Sequence, residues 1–330
     1  MVRDEIIYNE LPLTEAFIPT RLLHREGQLR EIERCLKPAL KNKTIDNVFL
    51  VGPTGTGKTS VARWILETHF KDISSYVNCW KYRNTHEVFK EILLTFQAPV
   101  HGRESTGDLM DRVEKLAKRK RIIACLDEVD RLKDFDTLYV LTRNGCGIIL
   151  ASTHYHTLMH LQSRIKSSLA LSEIEFPKYS HNELFDILKD RVEFSFKPCT
   201  LRTELIRLAS VMAGGDARSG LEILRRAGRK AENRGKDQVT IDEIRDAAKE
   251  AKKFGKSPIL SRLNEHERII YWILERRKKV SSGELYSEYC RTISSPVADR
   301  SYRNYMRNML ELGLVKVKGS RRWKIYEIVI

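Results

Sequence analysis

Residues 52–59 read Gly-Pro-Thr-Gly-Thr-Gly-Lys-Thr, and this stretch decides the fold. It fills every required position of the phosphate-binding pattern G-x-x-x-x-G-K-[ST]. Ahead of it, Val48, Phe49, Leu50 and Val51 form the short apolar run of a buried strand. Behind it, Ser60 to His69 has helical spacing, with Val61, Ile65 and Leu66 on one side. The glycines let the backbone curl until several N–H groups face one anion. The helix that follows turns its positive end to the same point. Gly52, Pro53, Thr54, Gly55, Thr56, Gly57, Lys58, Thr59 and Ser60 are therefore the expected phosphate-binding residues. Lys58 is expected to reach the β- and γ-phosphates of a nucleotide, and Thr59 to hold Mg²⁺ through its hydroxyl.

Working outward, Ser75 to Cys79 reads as a second strand and Thr85 to Phe96 as a helix. Gln97 to Asp108 (QAPVHGRESTGD) is rich in turn-formers and reads as an exposed excursion between two helices. Asp108 to Lys120 returns as a helix, and Arg121 to Leu126 (RIIACL) is a buried strand ending in Asp127-Glu128. Gly147 to Ala151 is the next strand. Strands alternating with helices predict an α/β fold with a parallel sheet covered on both faces. Such sheets bind ligands at the carboxyl ends of their strands, the edge where Gly52, Asp127 and Ser152 fall. Asp127 is placed to hold the Mg²⁺ shell, and Glu128 to polarise an attacking water.

Arg21 to Leu40 predicts an amphipathic helix entered near His24, with Leu29, Ile32, Leu36 and Leu40 as its stripe. Strand signals stop after about Pro177. Asn182–Val192, Leu201–Ala213, Ala217–Asn233 and Ile241–Ala251 read as helices, and Lys252 to Pro258 (KKFGKSP) reads as a break. The expected domains are 1–177 with an insertion near 97–108, a helical 178–255, and 256–330.

The last segment is the basic one. Residues 256–330 hold sixteen Lys/Arg against eight Asp/Glu, +8 of the chain's +15. Asn264 to Arg276, Ser282 to Cys290 and Asp299 to Leu312 read as three helices. On the third, Tyr302, Met306, Met309 and Leu310 share one face, while Arg300, Arg303, Asn304 and Arg307 share the other. Gly313 ends it. Leu314–Lys318 and Trp323–Val329 then alternate as strands joined by Gly-Ser-Arg-Arg. Three helices followed by a basic hairpin predict a winged helix. Its third helix, with Arg300, Ser301, Arg303, Asn304 and Arg307, is suited to the major groove of double-stranded DNA. Lys318, Arg321, Arg322 and Lys324 on the wing are suited to phosphates or the minor groove.

The 330 residues, 42% hydrophobic, are enough for two or three cores. No apolar run approaches the roughly 20 residues of a membrane span, and the charged N-terminus predicts an intracellular protein. The six cysteines are scattered with no C-x-x-C pair, which disfavours a zinc or disulfide framework.

The ordered set GPTGTGKT, LDEVD (Leu126–Asp130), HRE (His24–Glu26), SRIKSSL (Ser163–Leu169) and GDAR (Gly215–Arg218) resembles AAA+ ATPases. Within them it resembles the archaeal initiators related to eukaryotic origin-recognition and Cdc-type loading proteins. The resemblance implies an AAA+ base, a helical lid and a C-terminal winged helix, with ATP or ADP and Mg²⁺ as cofactors. It implies a slow, switch-like ATPase that binds origin DNA and recruits or loads the replicative helicase (MCM), with paralogues beside it on DNA. The expected location is cytoplasmic and nucleoid-associated. By the same resemblance His24–Glu26, with Arg25 as a nucleotide contact, flanks the adenine. Arg218 is the sensor 2 arginine, Arg164 a trans-acting arginine finger, and Thr153 holds the sensor 1 place. The excursion's His101, Arg103 and Ser105 contact DNA. Two positions depart from the family pattern. Thr153 stands where an asparagine is usual, and Gly220 falls inside the sensor 2 helix, which predicts a softer lid. A second reading is an ATP-controlled winged-helix transcriptional regulator, and a third is a clamp-loader-like ATPase.

Overall fold

The sheet that carries the phosphate loop has five parallel strands in the order β2-β3-β4-β1-β5. The structure, a computed structural model, describes residues 5–41, 43, 45–158, 161, 163–260, 263–293, 296–319 and 324–329; the side chains at 156, 158, 163, 164, 166 and 252–260 lie outside that description. The chain forms two compact units, Met1–Ala248 and Lys249–Ile330.

In the first unit, α1 (Glu26–Leu36) precedes β1 (Asn47–Val51), and α2 (Lys58–His69) follows the loop. Then come β2 (Ser74–Asn78), α3 (Thr85–Thr95), α4 (Thr106–Arg119), β3 (Ile123–Asp127), α5 (Asp136–Arg143), β4 (Gly147–Ser152), α6 (Ser163–Leu169) and β5 (Leu171–Glu175). The central strands β1, β3 and β4 are buried along their whole length. Their side chains alternate between two cores. Phe49, Val51 and Leu126 face one with α3, α4 and α5, while Val48, Leu50 and Cys125 face the other with α1 and α2. Both faces are thus covered, and every β-to-α turn opens at one edge.

Helices α7 (His181–Glu193), α8 (Thr203–Ala213), α9 (Ala217–Asn233) and the start of α10 (Ile241–Leu260) complete this unit. The N-terminal segment runs along the lid: Glu232 Oε1 accepts from the N–H groups of Ile6 at 2.7 Å and Ile7 at 2.9 Å. Gly228 makes room for it, since a Cβ there would stand 2.4 Å from Ile7 Cδ1.

The second unit is α11 (Glu265–Arg277), β6 (Lys279–Ser281), α12 (Ser282–Thr292), α13 (Asp299–Glu311), β7 (Val315–Lys318) and β8 (Ile325–Ile328). The antiparallel order β6-β8-β7 closes on a core of Ile270, Leu274, Leu285, Tyr289, Tyr302 and Met306. This is the element order of a winged helix.

Several expectations are corrected. α1 ends at Leu36 and continues as a 3₁₀ turn through Lys41, because Pro38 supplies no N–H. Leu40 is therefore 58% exposed and outside the stripe. The expected break at Lys252–Pro258 is helical, α10 running to Leu260, with Pro258 in its last turn. Helix α4 starts at Thr106, two residues early, because Ser105 and Asp108 form a capping box. Strands β5 and β6 and helix α5 were not foreseen. Gly220 is buried where α9 meets α7, a Cβ there lying 3.0 Å from both Leu188 methyls. The glycine serves close packing.

Gly215 joins lid to base. Its carbonyl accepts from Tyr179 N–H at 3.2 Å, its φ is +84°, and a Cβ would meet Tyr179 O at 2.7 Å. Gly215→Ala should destabilise the first unit by about 1–2 kcal/mol, read as a lower urea midpoint. An unchanged midpoint would show that the turn relaxes freely.

Candidate nucleotide and nucleic-acid sites

Three glycines shape the phosphate loop, and each abuts a neighbour that leaves no room for a side chain. A Cβ at Gly52 would meet Phe176 O at 2.2 Å, one at Gly55 would meet Asp216 Oδ1 at 1.9 Å, and one at Gly57 would meet Tyr179 Oη at 2.6 Å. Their φ angles are +153°, +68° and +91°, open to glycine and strained for other residues. From the lid, Ala217 N–H donates to Gly55 O at 3.0 Å.

The loop opens into a cavity of about 370 Å³. Lys58 enters it nearly buried, its Nζ donating to Gly52 O at 2.6 Å and Pro53 O at 2.7 Å. Desolvation lowers its pKa to about 8, against a smaller upward pull from Asp127. Thr59 Oγ1 donates to Asp127 Oδ2 at 2.7 Å, and Asp127 Oδ1 accepts from Glu128 N–H at 3.0 Å. Thr59 and Asp127 thus converge two hard oxygen donors beside the loop, a set that suits Mg²⁺. No cluster of three or more His, Cys, Asp or Glu that could hold a metal occurs among the described residues, so phosphate and water oxygens would complete such a shell.

Glu128 lines the cavity at φ +53°, a conformation that costs a non-glycine residue energy and clusters at functional sites. Burial, then the carboxylates of Asp127 and Asp130, raise its pKa. That is the direction that makes a carboxylate a better proton acceptor. Thr153 lines the same cavity. Ser152 beside it is engaged locally, its Oγ within 2.7 Å of Thr157 Oγ1 and accepting from His154 N–H at 3.1 Å. Arg218 also lines the cavity, its Nε 2.5 Å from Glu15 Oε1. Pro53 holds its carbonyl to Thr56 Oγ1 and Lys58 Nζ. Thr54, Thr56 and Ser60 line the wall. Arg164 lies on α6, its side chain outside the described residues.

His24, Arg25 and Glu26 are not among the residues lining the cavity, which Arg21, Leu22 and Leu23 just before them do line. Arg25 is buried and spends its guanidinium on three carbonyls: Thr56 at 3.0 Å, His24 at 2.8 Å and Pro177 at 2.7 Å. It stacks on Tyr179 at 3.7 Å. Arg25 braces the loop from behind. Phe17, Leu22, Ile187 and Leu221 give the cavity apolar lining. Tyr76 was also missed; its hydroxyl donates to Asp127 Oδ2 at 2.7 Å and orients that carboxylate. Nothing in the sequence around a strand tyrosine signals this.

In the second unit, Arg300, Arg303, Asn304 and Arg307 are exposed on α13, with Ser301 half-buried, opposite the buried Tyr302, Met306 and Met309. Arg303 pairs with Asp299 at 2.6 Å, and Lys318 with Glu327 at 2.9 Å. Both pairs are solvent-exposed and weak, so that a phosphate can displace them. Lys324 is exposed, whereas Arg321 and Arg322 lie outside the described residues. His101 and Arg103 are exposed at the tip between α3 and α4. Arg112 ties that tip down through Glu104 and the Pro99 carbonyl. Ser105, exposed beside them, forms the capping box of α4 with Asp108.

Residues 42–158 match the family model of an AAA domain, and residues 185–249 match that of a Cdc6 AAA+ ATPase-type lid domain. An ORC1-type DNA replication protein 1 of Halobacterium salinarum is 31% identical over 88% of this chain and 98% of its own. A second, from Sulfurisphaera tokodaii, is 29% identical over 97% of this chain and 88% of its own. The Aeropyrum pernix ORC1 protein, solved in complex with DNA, is 29% identical and aligns with a TM-score of 0.78 over 100% of this chain and 94% of its own. No helix among the described residues is long and apolar enough to cross a membrane.

The Lys58 ammonium is half-neutral near pH 8 in the free site, and neighbouring phosphates raise its pKa. Nucleotide binding then takes up a proton above that pH. Affinity should be flat from about pH 7 to 7.5 and fall towards tenfold per unit above pH 8, by titration calorimetry. Lys58→Arg should flatten the fall. A wild-type affinity constant to pH 9.5 would contradict the assignment.

Proposed function

The chain belongs to the ORC1-type DNA replication proteins of archaea, and from that premise we propose that it is an ATP-switched replication initiator that binds origin DNA and helps bring the replicative helicase (MCM) to it. The observation that carries the DNA half is the division of α13 into a buried apolar face and an exposed face of Arg300, Arg303, Asn304 and Arg307. The nucleotide half rests on the loop, Lys58, Thr59 and Asp127, and the lid joined to the loop at Gly55.

Mg²⁺, when bound, would be held by Thr59 and Asp127 and would neutralise charge developing on the phosphates. The protein's own groups do the rest. The loop amides and Lys58 hold the phosphates. Tyr76 and Thr59 fix the Asp127 carboxylate. Glu128 accepts a proton from the attacking water, with Thr153 beside it. Arg218 exchanges its exposed Glu15 partner for the γ-phosphate, a trade of one weak pair for a bidentate charge-assisted contact. That exchange draws the lid towards the base in the ATP state only. Turnover is slow on this reading, because a threonine hydroxyl offers fewer hydrogen bonds to orient water than an asparagine amide. Arg164 is proposed to act on a neighbouring protomer. The domains are proposed as base 1–177, lid 178–255 and winged helix 256–330.

On DNA, Arg303→Ala should cost about 1–3 kcal/mol on the preferred site and much less on random duplex. Arg322→Ala on the wing should weaken all sequences alike and lower the salt slope by roughly one. Deleting Pro99 to Thr106 should shorten the footprint by removing His101 and Arg103. Fluorescence anisotropy and footprinting read these out. Equal losses for Arg303→Ala on both kinds of DNA would remove it from base reading. Failure of the purified chain to load purified helicase on origin DNA with ATP would overturn the initiator reading.

A further inference from the structure

Between β2 and α3 the chain reads Asn-Cys-Trp-Lys-Tyr-Arg-Asn, residues 78–84, with two cations, two aromatics and no acid. Trp80 is 46% exposed. Two guanidinium groups stand over its ring, Arg83 at 5.1 Å and Arg131 at 4.7 Å from the centroid. Lys81 and Lys133 are exposed on the adjoining chain, and Lys133 N–H donates to Arg83 O at 2.8 Å. Trp80, Arg83 and Arg131 are not among the residues lining the nucleotide cavity.

The patch is held in shape from beneath. Asn78 Oδ1 accepts from Trp80 N–H at 2.8 Å. The Asn78 carbonyl accepts from the N–H groups of Lys81 at 3.1 Å and Tyr82 at 3.0 Å, and Cys79 N–H donates to Asp127 O at 2.8 Å. Arg83 Nε donates to Trp80 O at 3.0 Å. The indole is thus displayed on a fixed loop at the carboxyl ends of β2 and β3, which lowers the ordering cost of binding.

Charge and aromaticity together select the ligand. Four cations around one indole attract a polyanion; Asp130 offsets one of them, its Oδ2 3.4 Å from Arg131 Nε. A guanidinium stacks on an aromatic plane and keeps its N–H groups for phosphate. Indole and guanidinium planes are also surfaces on which a nucleobase stacks. A paired base inside a duplex has both faces covered by its neighbours, so these planes favour an unpaired one. An acidic peptide would satisfy the charges and leave the planes unused.

We propose that Trp80, Arg83 and Arg131, flanked by Lys81 and Lys133, form a binding site for single-stranded nucleic acid. An unpaired base stacks on the Trp80–arginine platform, and the phosphates beside it pair with the lysines. The site is separate from the duplex-reading face of α13 and does not rest on that reading.

Fluorescence anisotropy of the full chain tests this with three probes: an oligo-dT strand of about 20 nucleotides, an abasic strand of the same length, and a blunt duplex. The wild type should bind oligo-dT more tightly than the abasic strand, and its tryptophan emission should be quenched as the indole stacks. Trp80→Ala should weaken oligo-dT about tenfold and leave the duplex unchanged. Should Trp80→Ala melt early, Arg83→Gln carries the same expectation. Trp80→Phe keeps a stacking ring, so it should retain most of the affinity and lose the quenching. Oligo-dT affinity unaffected by Trp80→Ala and Arg83→Gln, equal losses on strand and duplex, or full quenching surviving in Trp80→Phe would overturn the assignment. Equal binding of oligo-dT and the abasic strand would overturn it too, leaving a polyanion contact that reads no base.

Discussion

The nucleotide end depends on one steric constraint: the phosphate loop is packed from three directions against atoms that exclude a Cβ. Phe176 O presses on Gly52, the Tyr179 hydroxyl on Gly57, and the Asp216 carboxylate on Gly55. The first two neighbours belong to the chain leaving β5. The third caps α9, so it brings the lid with it. Ala217 N–H then bonds to Gly55 O, and Arg218 is the next residue. A loop built only to wrap phosphate would need the glycines for curvature. This one also needs them so that base and lid can touch, the lid contributing a helix of 17 residues.

Other features serve the same junction. Arg25 fastens the loop's outer side to the His24 and Pro177 carbonyls. The N-terminal segment lies along α9 and supplies Glu15 to Arg218 and Phe17 to Arg191. The Glu15–Arg218 pair is half-exposed and weak by the usual measure of surface pairs. It can hold Arg218 in the absence of nucleotide and yield to a phosphate carrying more charge. On the proposed reading, the lid's arginine thus has an alternative partner, as a two-state switch requires.

Legibility in the sequence followed the strength of local signals. GPTGTGKT, the apolar runs of β1, β3 and β4, and the two faces of α13 are each local patterns, and the structure has them where the residues say. β5 escaped notice because its pattern, Leu-Ser-Glu-Ile-Glu at a sheet edge, buries only Ile174. β6 is three residues long and exists only by pairing with β8, about 45 residues on. Leu40 followed the helical stripe in sequence yet stands outside it, because Pro38 changes the helix type two residues earlier. At the site, Lys58, Thr59, Asp127, Glu128 and Arg218 were all readable from motifs. Tyr76 and Asp216 were not, since each acquires its role from a tertiary neighbour. The motif marked Arg25 as a position, but its bonds to the Thr56, His24 and Pro177 carbonyls come from tertiary neighbours that no local pattern shows.

The central claim is that triphosphate at the loop fastens the lid through Gly55, Ala217 and Arg218. Hydrogen exchange of the backbone amides at 215–221 tests it directly, in protein alone, with ADP, and with ATP. The account predicts protection rising from free protein to ADP and again to ATP, with Arg218→Ala removing the second step and leaving the first. Equal protection with ADP and ATP in the wild type would contradict it.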